Sequence, residues 1–142
     1  MDPTPSTGGK LHCVVVTPER TVLESPADFI VLPMYDGELG VLPGRAPLIG
    51  RLGYGELRTE SGGKTHRYYV DGGFAQVRKN VVTVLTSRAM PAEEINVTAT
   101  EQHIASLKSA GTLKEEQQAA ISRDQAMIRV ARKTTPAHVG AH

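Results

Sequence analysis

Two short stretches of the chain begin or end like nucleotide-binding motifs without completing them. Residues 61–65 (SGGKT) end like a phosphate-binding P-loop, but Arg58 stands where that motif needs its leading glycine. The predicted context is strand, turn and strand, so the amide cradle at a helix start would not form. Gly53 and Gly55 begin a dinucleotide fingerprint, whose third glycine is again replaced by Arg58. We therefore predict no nucleotide site at either stretch.

The residues that bind metals or act as nucleophiles are also scattered. Cys13 is the single cysteine, and we predict it to be a small buried residue on the first strand of a cytosolic protein. The pair Glu93 and Glu94 and the pair Glu115 and Glu116 stand at predicted helix starts, where the helix dipole favours them. The sequence therefore predicts no enzyme, no metal and no cofactor. Five histidines lack metal-ligand spacing: His12, His66, His103, His138 and His142.

The overall composition excludes several classes of partner. Lys and Arg number 16 against 15 Asp and Glu, a net charge of +1, so the basic surface that binds nucleic acid is not expected. No apolar run reaches the roughly 20 residues that span a bilayer, so we expect contact with a membrane only through partners. Residues 1–10 are rich in Pro, Ser, Thr and Gly, which predicts a disordered lead-in rather than a signal peptide.

The elements that must position any functional residue fall into two parts, and the fold class is α+β. Residues 11–89 contain short β-branched runs separated by Pro and Gly turn signals, which predict an N-terminal antiparallel β-sandwich of at least eight strands. Residues 90–142 change to helical periodicity, which predicts a C-terminal antiparallel helical hairpin with a flexible tail.

The predicted hairpin has recognisable helix ends and few large apolar side chains. Gly111 suits a left-handed helix end, and Thr112 with Glu115 suits a capping box that starts a second helix running to about Thr134. Such a thin apolar stripe needs a docking surface, either on its own sandwich or on another subunit, and two options would make the hairpin bistable. The stripe consists of Val97, Ile104 and Leu107, then Leu113, Ala120, Ile121, Met127, Ile128 and Ala131.

One segment, residues 36–49 (DGELGVLPGRAPLI), combines a stiff backbone with groups suited to a contact. Its Gly and Pro residues restrict the chain, and Glu38 and Arg45 are the charges predicted to project from it. The segment is either a rigid corner of the sandwich or a docking surface. The apolar contacts of such a surface would come from Leu39, Val41, Leu42 and Leu48.

This segment closely resembles the signature of the epsilon subunits of F-type ATP synthases, which commonly read G-E-x-G-I-L-P-G-H-A-P-L. The likeness extends to the first strand, which resembles the family's L-x-V-V-T-P pattern (Leu11 to Pro18), the V-D-G-G-F turn (70–74) and the N-x-V-T-V-L strand (80–85). With the helical hairpin it covers residues 11 to about 134. The resemblance implies a two-sheet sandwich followed by a helix pair, in a subunit that catalyses no reaction.

The resemblance further implies a place at the foot of the rotating central stalk, coupling proton-driven rotation of the c-ring to ATP synthesis. The sandwich would bind the gamma subunit and rest on the c-ring through Glu38, Leu42, Pro43 and Arg45. Arg45 stands where histidine is common, so a pH-sensitive role does not carry over to it. The protein would lie peripherally on the cytoplasmic face of a bacterial inner membrane, or on the stromal side of a thylakoid.

The helix pair of this family can also reach the alpha/beta catalytic head and hinder ATP hydrolysis. The second predicted helix carries Arg123, Arg129, Arg132 and Lys133 against Asp124, a local net charge of +3. These cations suit acidic loops of the catalytic subunits, although a merely solvated face remains open.

Some relatives bind ATP at this hairpin through an I-D-x-x-R-A motif. Here Asn96 replaces the aspartate and Ala99 the arginine, so we predict no ATP sensing at physiological concentrations. The residues also leave open a free-standing β-sandwich adaptor that binds another protein through residues 36–49. They argue against a small hydrolase, because no nucleophile–base pair is found.

Overall fold

The computed structural model describes residues 10–109, 111 and 114–134 of the 142-residue chain. Ten strands form two five-stranded sheets that stack face to face, because alternate residues of most strands are apolar and need cover on one side. Sheet A consists of β1 (Leu11–Val16), β2 (Thr21–Ala27), β5 (Leu48–Arg51), β8 (Phe74–Arg78) and β9 (Val81–Leu85).

The second sheet has the same number of strands. Its order is β10-β7-β6-β3-β4, and the order in sheet A is β2-β1-β9-β8-β5, with the β-number following the chain. Sheet B consists of β3 (Phe29–Met34), β4 (Gly37–Val41), β6 (Tyr54–Ser61), β7 (Lys64–Asp71) and β10 (Ala89–Pro91).

All strand pairs but one are antiparallel, so the predicted sandwich is confirmed. The exception is β1, which runs parallel to β9, with Val16 opposite Leu85. Parallel neighbours require a crossover connection, and here the whole of strands β2 to β8 supplies it. The glycine-rich run at Gly62 and Gly63 is the tight turn between β6 and β7, with φ of 58° and 80°, so it forms no P-loop.

The core lies between the two sheets and is built from the inward-facing residues of both. Cys13 is fully buried there, as predicted. Leu11, Ile30 and Leu57 are among the largest side chains with no exposed surface, and burial of each contributes about 1.5–3 kcal/mol.

The helix pair covers the outer face of sheet B. A short 3₁₀ turn (Ala92–Glu94) follows β10 and leads into α1 (Val97–Lys108) and then α2 (Glu115–Thr134). Helix α2 packs on β6 and β7, while α1 packs on α2. Sheet B continues to Pro91, so the strand-bearing part of the chain ends slightly later than the predicted boundary after Ala89.

The apolar stripe of α2 agrees with the prediction for most of its members, whereas α1 has no fully buried side chain. Ala126 and Val130, which the prediction missed, are buried with Tyr69 in a second apolar cluster between α2 and sheet B. The buried stripe residues of α2 that were predicted are Ile121, Met127, Ile128 and Ala131.

The helix ends follow the predicted logic with one shift. Gly111 has φ +93°, as expected of a left-handed helix end. At the start of α2 the Lys114 amide donates to Gln117 Oε1 at 2.9 Å, so Gln117 performs the role predicted for Glu115. The residues outside the described part of the chain are 1–9, Ala110, Thr112, Leu113 and 135–142. Neither of the two described helices is both long and apolar enough to cross a membrane.

Candidate functional site

The segment 36–49 forms one open side of the sandwich. Strand β4 is the edge of sheet B, β5 is the edge of sheet A, and residues 42–47 connect the two edges. The predicted contact residues are Glu38, Leu42, Pro43 and Arg45; all four are exposed, and Leu42 is 60% exposed. Of the four residues predicted to supply apolar contacts, Leu42 alone is exposed, because Leu39, Val41 and Leu48 pack into the core.

A cleft of about 500 Å³ runs between the two edges and brings Glu38 and Arg45 together in its lining. Two further lining residues, Tyr35 and Arg51, were missed by sequence reasoning. The Arg51 guanidinium lies 4.4 Å from the centroid of the Tyr35 ring, a cation–π contact. The cleft therefore presents both signs of charge beside an aromatic ring, which suits recognition of a polar loop rather than catalysis. We call residues 42–47 the connecting loop and this surface the edge cleft.

The outer face of sheet A carries a second surface, which is apolar. Ile49 is 72% exposed, Phe74 56% and Leu85 53%. Phe74 is the cross-strand partner of Leu85, and Arg51 lies opposite Phe74 on the other side. Three large apolar side chains on neighbouring strands are unusual on a surface that meets only water. We call Ile49, Phe74 and Leu85 the apolar face.

Sequence reasoning missed the apolar face, although a signal for it exists. In β9 both sets of alternating residues are apolar or β-branched: Val82 and Val84 are buried in the core, while Val81, Thr83 and Leu85 point to the other side. A strand apolar on both faces is typical of a sheet covered on both sides. The helix pair covers the outer face of sheet B, whereas Ile49, Phe74 and Leu85 on the outer face of sheet A remain exposed.

The four cations predicted to contact a catalytic head have unequal surroundings. Arg123 Nε lies 3.0 Å from Asp71 Oδ1 on β7, and Lys133 Nζ lies 3.6 Å from Glu56 Oε1 on β6. Arg132 pairs with Glu101 of α1 at 2.9 Å. Arg129 is exposed and has no ion-pair partner among the described residues. Three of the four cations thus hold the helix pair together or on the sandwich.

Glu56 forms the centre of a charged cluster beneath α2. Its side chain is only 6% exposed, and Arg58, Arg67 and Lys133 approach it at 3.4 to 3.6 Å. Nearby, the Tyr69 hydroxyl is buried without a hydrogen-bond partner in the described residues, and burial raises the pKa of Tyr69 above its ordinary value. The surface beneath the helix pair is therefore partly polar, and its charged groups lie at distances longer than those of well-formed hydrogen bonds.

A second cleft lies between the helices and the end of the sandwich. Its lining includes Asn96 and Ala99, which stand where some relatives have the aspartate and arginine of the ATP-binding motif. Asn96 caps α1 by accepting from the Ala99 amide at 2.9 Å, which gives this residue a structural role. His103 of α1 contacts Asp124 of α2 across the cleft. Within residues 10–109, 111 and 114–134 no group of three His, Cys, Asp or Glu side chains is placed to hold a metal ion.

Comparison with known sequences identifies close relatives. Residues 10–92 match a family model described as ATP synthase, Delta/Epsilon chain, beta-sandwich domain. An ATP synthase epsilon chain from Rhodopirellula baltica is 51% identical over 126 residues, which are 86% of this chain and 98% of the relative. An ATP synthase epsilon chain from Nitratidesulfovibrio vulgaris (strain DP4) is 39% identical over 127 residues, 84% of this chain and 94% of the relative.

Solved structures with the same fold include chains of two large assemblies. One, from the Euglena gracilis mitochondrial ATP synthase (OSCP/F1/c-ring in rotational state 1), has a TM-score of 0.69 at 24% identity and covers 100% of this chain and 91% of its own. The other, from the Tetrahymena thermophila mitochondrial ATP synthase (central stalk/c-ring), has a TM-score of 0.59 at 15% identity and covers 92% of this chain and 99% of its own. At these identities the likeness supports the fold of sandwich and helix pair.

Proposed function

The chain belongs to the ATP synthase delta/epsilon family, and on that premise we propose that it is a non-catalytic central-stalk subunit of an F-type ATP synthase. In this role it couples rotation of a proton-driven c-ring to ATP synthesis. The observation that carries the proposal is the 51% identity to an epsilon chain over 98% of that relative's length, which includes both the sandwich and the helices.

The apolar face is the surface that best suits the gamma subunit. It lies on the outer side of sheet A, whereas the helix pair occupies the outer side of sheet B. Burying Ile49, Phe74 and Leu85 against a partner stabilises a complex by removing exposed apolar area from water. A rotor subunit must stay attached under torque, and an apolar contact provides such a lasting attachment.

The connecting loop and edge cleft suit the polar loops of the c-ring. Glu38 and Arg45 offer one charge of each sign, and Leu42 with Pro43 offers a small stiff apolar tip. The Arg45 guanidinium offers a planar fork of donors that suits a carboxylate on a ring loop. Arg51, stacked on Tyr35, adds a second cation to the same surface.

Co-purification with gamma tests the assignment. We expect Phe74→Ser to weaken the complex with gamma by roughly 30-fold, since a buried aromatic residue at an interface contributes about 2 kcal/mol or more. Tyr35→Ser is the matched control, because Tyr35 is 68% exposed but lies off the apolar face. Binding should be measured by titration of labelled variants with gamma.

The result also separates the stalk subunit from a free-standing adaptor. A stable pair of the unaltered chain with gamma is expected only of the stalk subunit. If the unaltered chain does not bind gamma, the assignment is wrong. If Phe74→Ser and Tyr35→Ser weaken binding equally, gamma contacts a different surface.

The helix pair acts as the regulatory part of the subunit in this proposal. In its docked position on sheet B it leaves the catalytic head free, and when released it reaches the alpha/beta subunits and slows ATP hydrolysis. Support comes from the ion pairs of Arg123 and Lys133 with the sandwich, since release would free these cations, with Arg129, for acidic loops. Asn96, which is occupied in capping α1, and the small Ala99 favour a switch that does not sense ATP.

The proposed place of the protein follows from its partners. As a stalk subunit it is peripheral, attached to the membrane sector only through gamma and the c-ring. Its side of the membrane is then the cytoplasmic face of a bacterial inner membrane, or the stromal face of a thylakoid.

A further inference from the structure

The turn between β8 and β9 has an unusual residue for its geometry. Lys79 has φ 51° and Asn80 φ 63°, and Arg78 is paired with Val81, so two left-handed residues close a two-residue hairpin. This is the type I′ geometry, in which glycine is the favoured second residue. Asparagine tolerates the left-handed region but gains nothing over glycine from the turn itself. The geometry of the turn therefore does not explain why an asparagine side chain stands at this position.

The Asn80 side chain reaches the connecting loop. The Gly44 amide donates a hydrogen bond to Asn80 Oδ1 at 2.8 Å, although 36 positions separate the two residues. Outside the helices and strands of the described residues, no backbone-to-backbone hydrogen bond involves residues 43–46. The Asn80 contact thus ties the middle of an otherwise solvent-exposed loop to a rigid hairpin of sheet A.

Gly44 is the residue at which such a tie matters most. Its φ of +85° lies in the left-handed region, and open space surrounds the position of a Cβ atom, so the glycine is there for its backbone conformation. Pro43 and Arg45 flank it directly. The hydrogen bond to Asn80 holds the Pro43–Gly44 peptide, which lies one residue before Arg45 in the loop.

We propose that Asn80 is a positioning residue for the ring contact: it fixes the Gly44 peptide and thereby presents Pro43 and Arg45 to the partner. This inference rests on the proposed contact between the connecting loop and the c-ring. A preorganised loop loses less conformational freedom on binding, so a lost tie weakens coupling even though Asn80 touches no partner.

Asn80→Gly separates this role from that of a turn residue. Glycine keeps or improves the type I′ turn, so the melting temperature should remain within about 4 °C of the unaltered protein or rise. The Gly44 amide should exchange with solvent roughly fivefold faster, the effect of losing one hydrogen bond. In reconstituted ATP synthase, proton pumping per ATP hydrolysed should fall in the same direction as in Arg45→Ala.

Two matched variants sharpen the test. Asn80→Asp keeps an acceptor oxygen and tolerates the left-handed backbone, so it should retain both Gly44 protection and pumping. Asp28→Ala removes a similar bond, from the Gly62 amide to Asp28 Oδ2 at 3.0 Å, which lies on a different turn. It should leave pumping unchanged.

The outcomes distinguish the inference from its premise. Unchanged Gly44 exchange in Asn80→Gly overturns the anchoring role. Faster exchange with normal pumping, while Arg45→Ala loses pumping, overturns the positioning role and leaves the ring contact standing. Normal pumping in both Asn80→Gly and Arg45→Ala overturns the proposed ring contact and the inference with it. Faster exchange with reduced pumping, restored in Asn80→Asp, supports both.

Discussion

At the scale of single residues, burial determines which groups keep their protons. Cys13 sits between the sheets with no exposed surface, and burial raises the pKa of its thiol from its ordinary value of 9.0 to about 12. A thiol held in this neutral form is a poor nucleophile, because the thiolate is the reactive species. The residue therefore contributes packing to the core.

The raised pKa predicts a loss of stability in alkali. Below pH 9 the thiol is protonated in both the folded and the unfolded chain. As the pH rises above 9, the unfolded chain releases this proton and the folded chain keeps it, so the free energy of unfolding falls by about 1.4 kcal/mol per pH unit up to about pH 12. In Cys13→Ala the free energy of unfolding should therefore fall less steeply with pH, by about 1.4 kcal/mol per pH unit.

Urea unfolding between pH 8.5 and pH 11 measures the decline. The raised pKa of Tyr69 does not depend on Cys13, so the contribution of Tyr69 cancels in the comparison, whereas the pKa of Tyr68 is raised mainly by its own burial and in part by Cys13. Equal slopes for the unaltered chain and Cys13→Ala would contradict the prediction.

At the scale of elements, the docking of α2 combines an apolar cluster with ion pairs of small individual effect. The cations Arg123 and Lys133 are about half exposed, and exposed ion pairs typically contribute no more than about 1 kcal/mol. Ala126, Met127 and Val130 are buried against Tyr69, and removal of a large core side chain costs about 2–5 kcal/mol. The apolar cluster therefore supplies most of the energy that docks α2, and the ion pairs fix where along sheet B the helix lies.

A charge placed in this cluster should release the helices without unfolding the sandwich. Ala126→Asp buries an unpaired carboxylate and should destabilise the docked helices by at least about 2 kcal/mol. Gln125→Asp, one position away on the exposed side of α2, is the matched control and should have little effect. Hydrogen exchange should show lost protection throughout α1 and α2, with strands β1 and β9 unchanged. Equal effects of the two variants would show that α2 does not dock through Ala126.

At the scale of the whole molecule, the sandwich and the helix pair have separate cores. The apolar cluster between the sheets contains no helical residue. The apolar cluster beneath α2 contains one buried residue from a strand, Tyr69 of β7. The sandwich should consequently fold without the helices, while the helices depend on the sandwich. This asymmetry suits the proposed function, in which the sandwich stays intact while the helix pair is released.

A chain that ends at Ile95 tests this asymmetry. We expect it to keep a cooperative thermal transition and to bind a hydrophobic dye more strongly than the full chain, because Tyr69 and Met90 lose their cover. In reconstituted enzyme it should support ATP-driven pumping and raise the rate of ATP hydrolysis. Unaltered hydrolysis would remove the inhibitory role of the helices.

The sequence predicted the two-part fold well because turn residues and apolar periodicity are local signals. Sites that depend on long-range pairing were beyond its reach. The edge cleft depends on β4 and β5 becoming edge strands on the same side, and the apolar face depends on Phe74 meeting Leu85. Residues 36–49 were predicted as a contact segment, but the core positions of Leu39 and Val41 within it follow only from the register with β3.

The parallel pairing of β1 with β9 has a consequence for synthesis of the protein. Strand β1 is the second strand of sheet A, yet its neighbour β9 follows it by about seventy positions in the chain. On the ribosome, β1 and β2 emerge early as a hairpin, and an isolated hairpin is at best marginally stable in water. Sheet A can close only after Leu85 has left the exit tunnel, so the nascent sandwich stays open, and exposed to chaperones, until nearly all its strands are made.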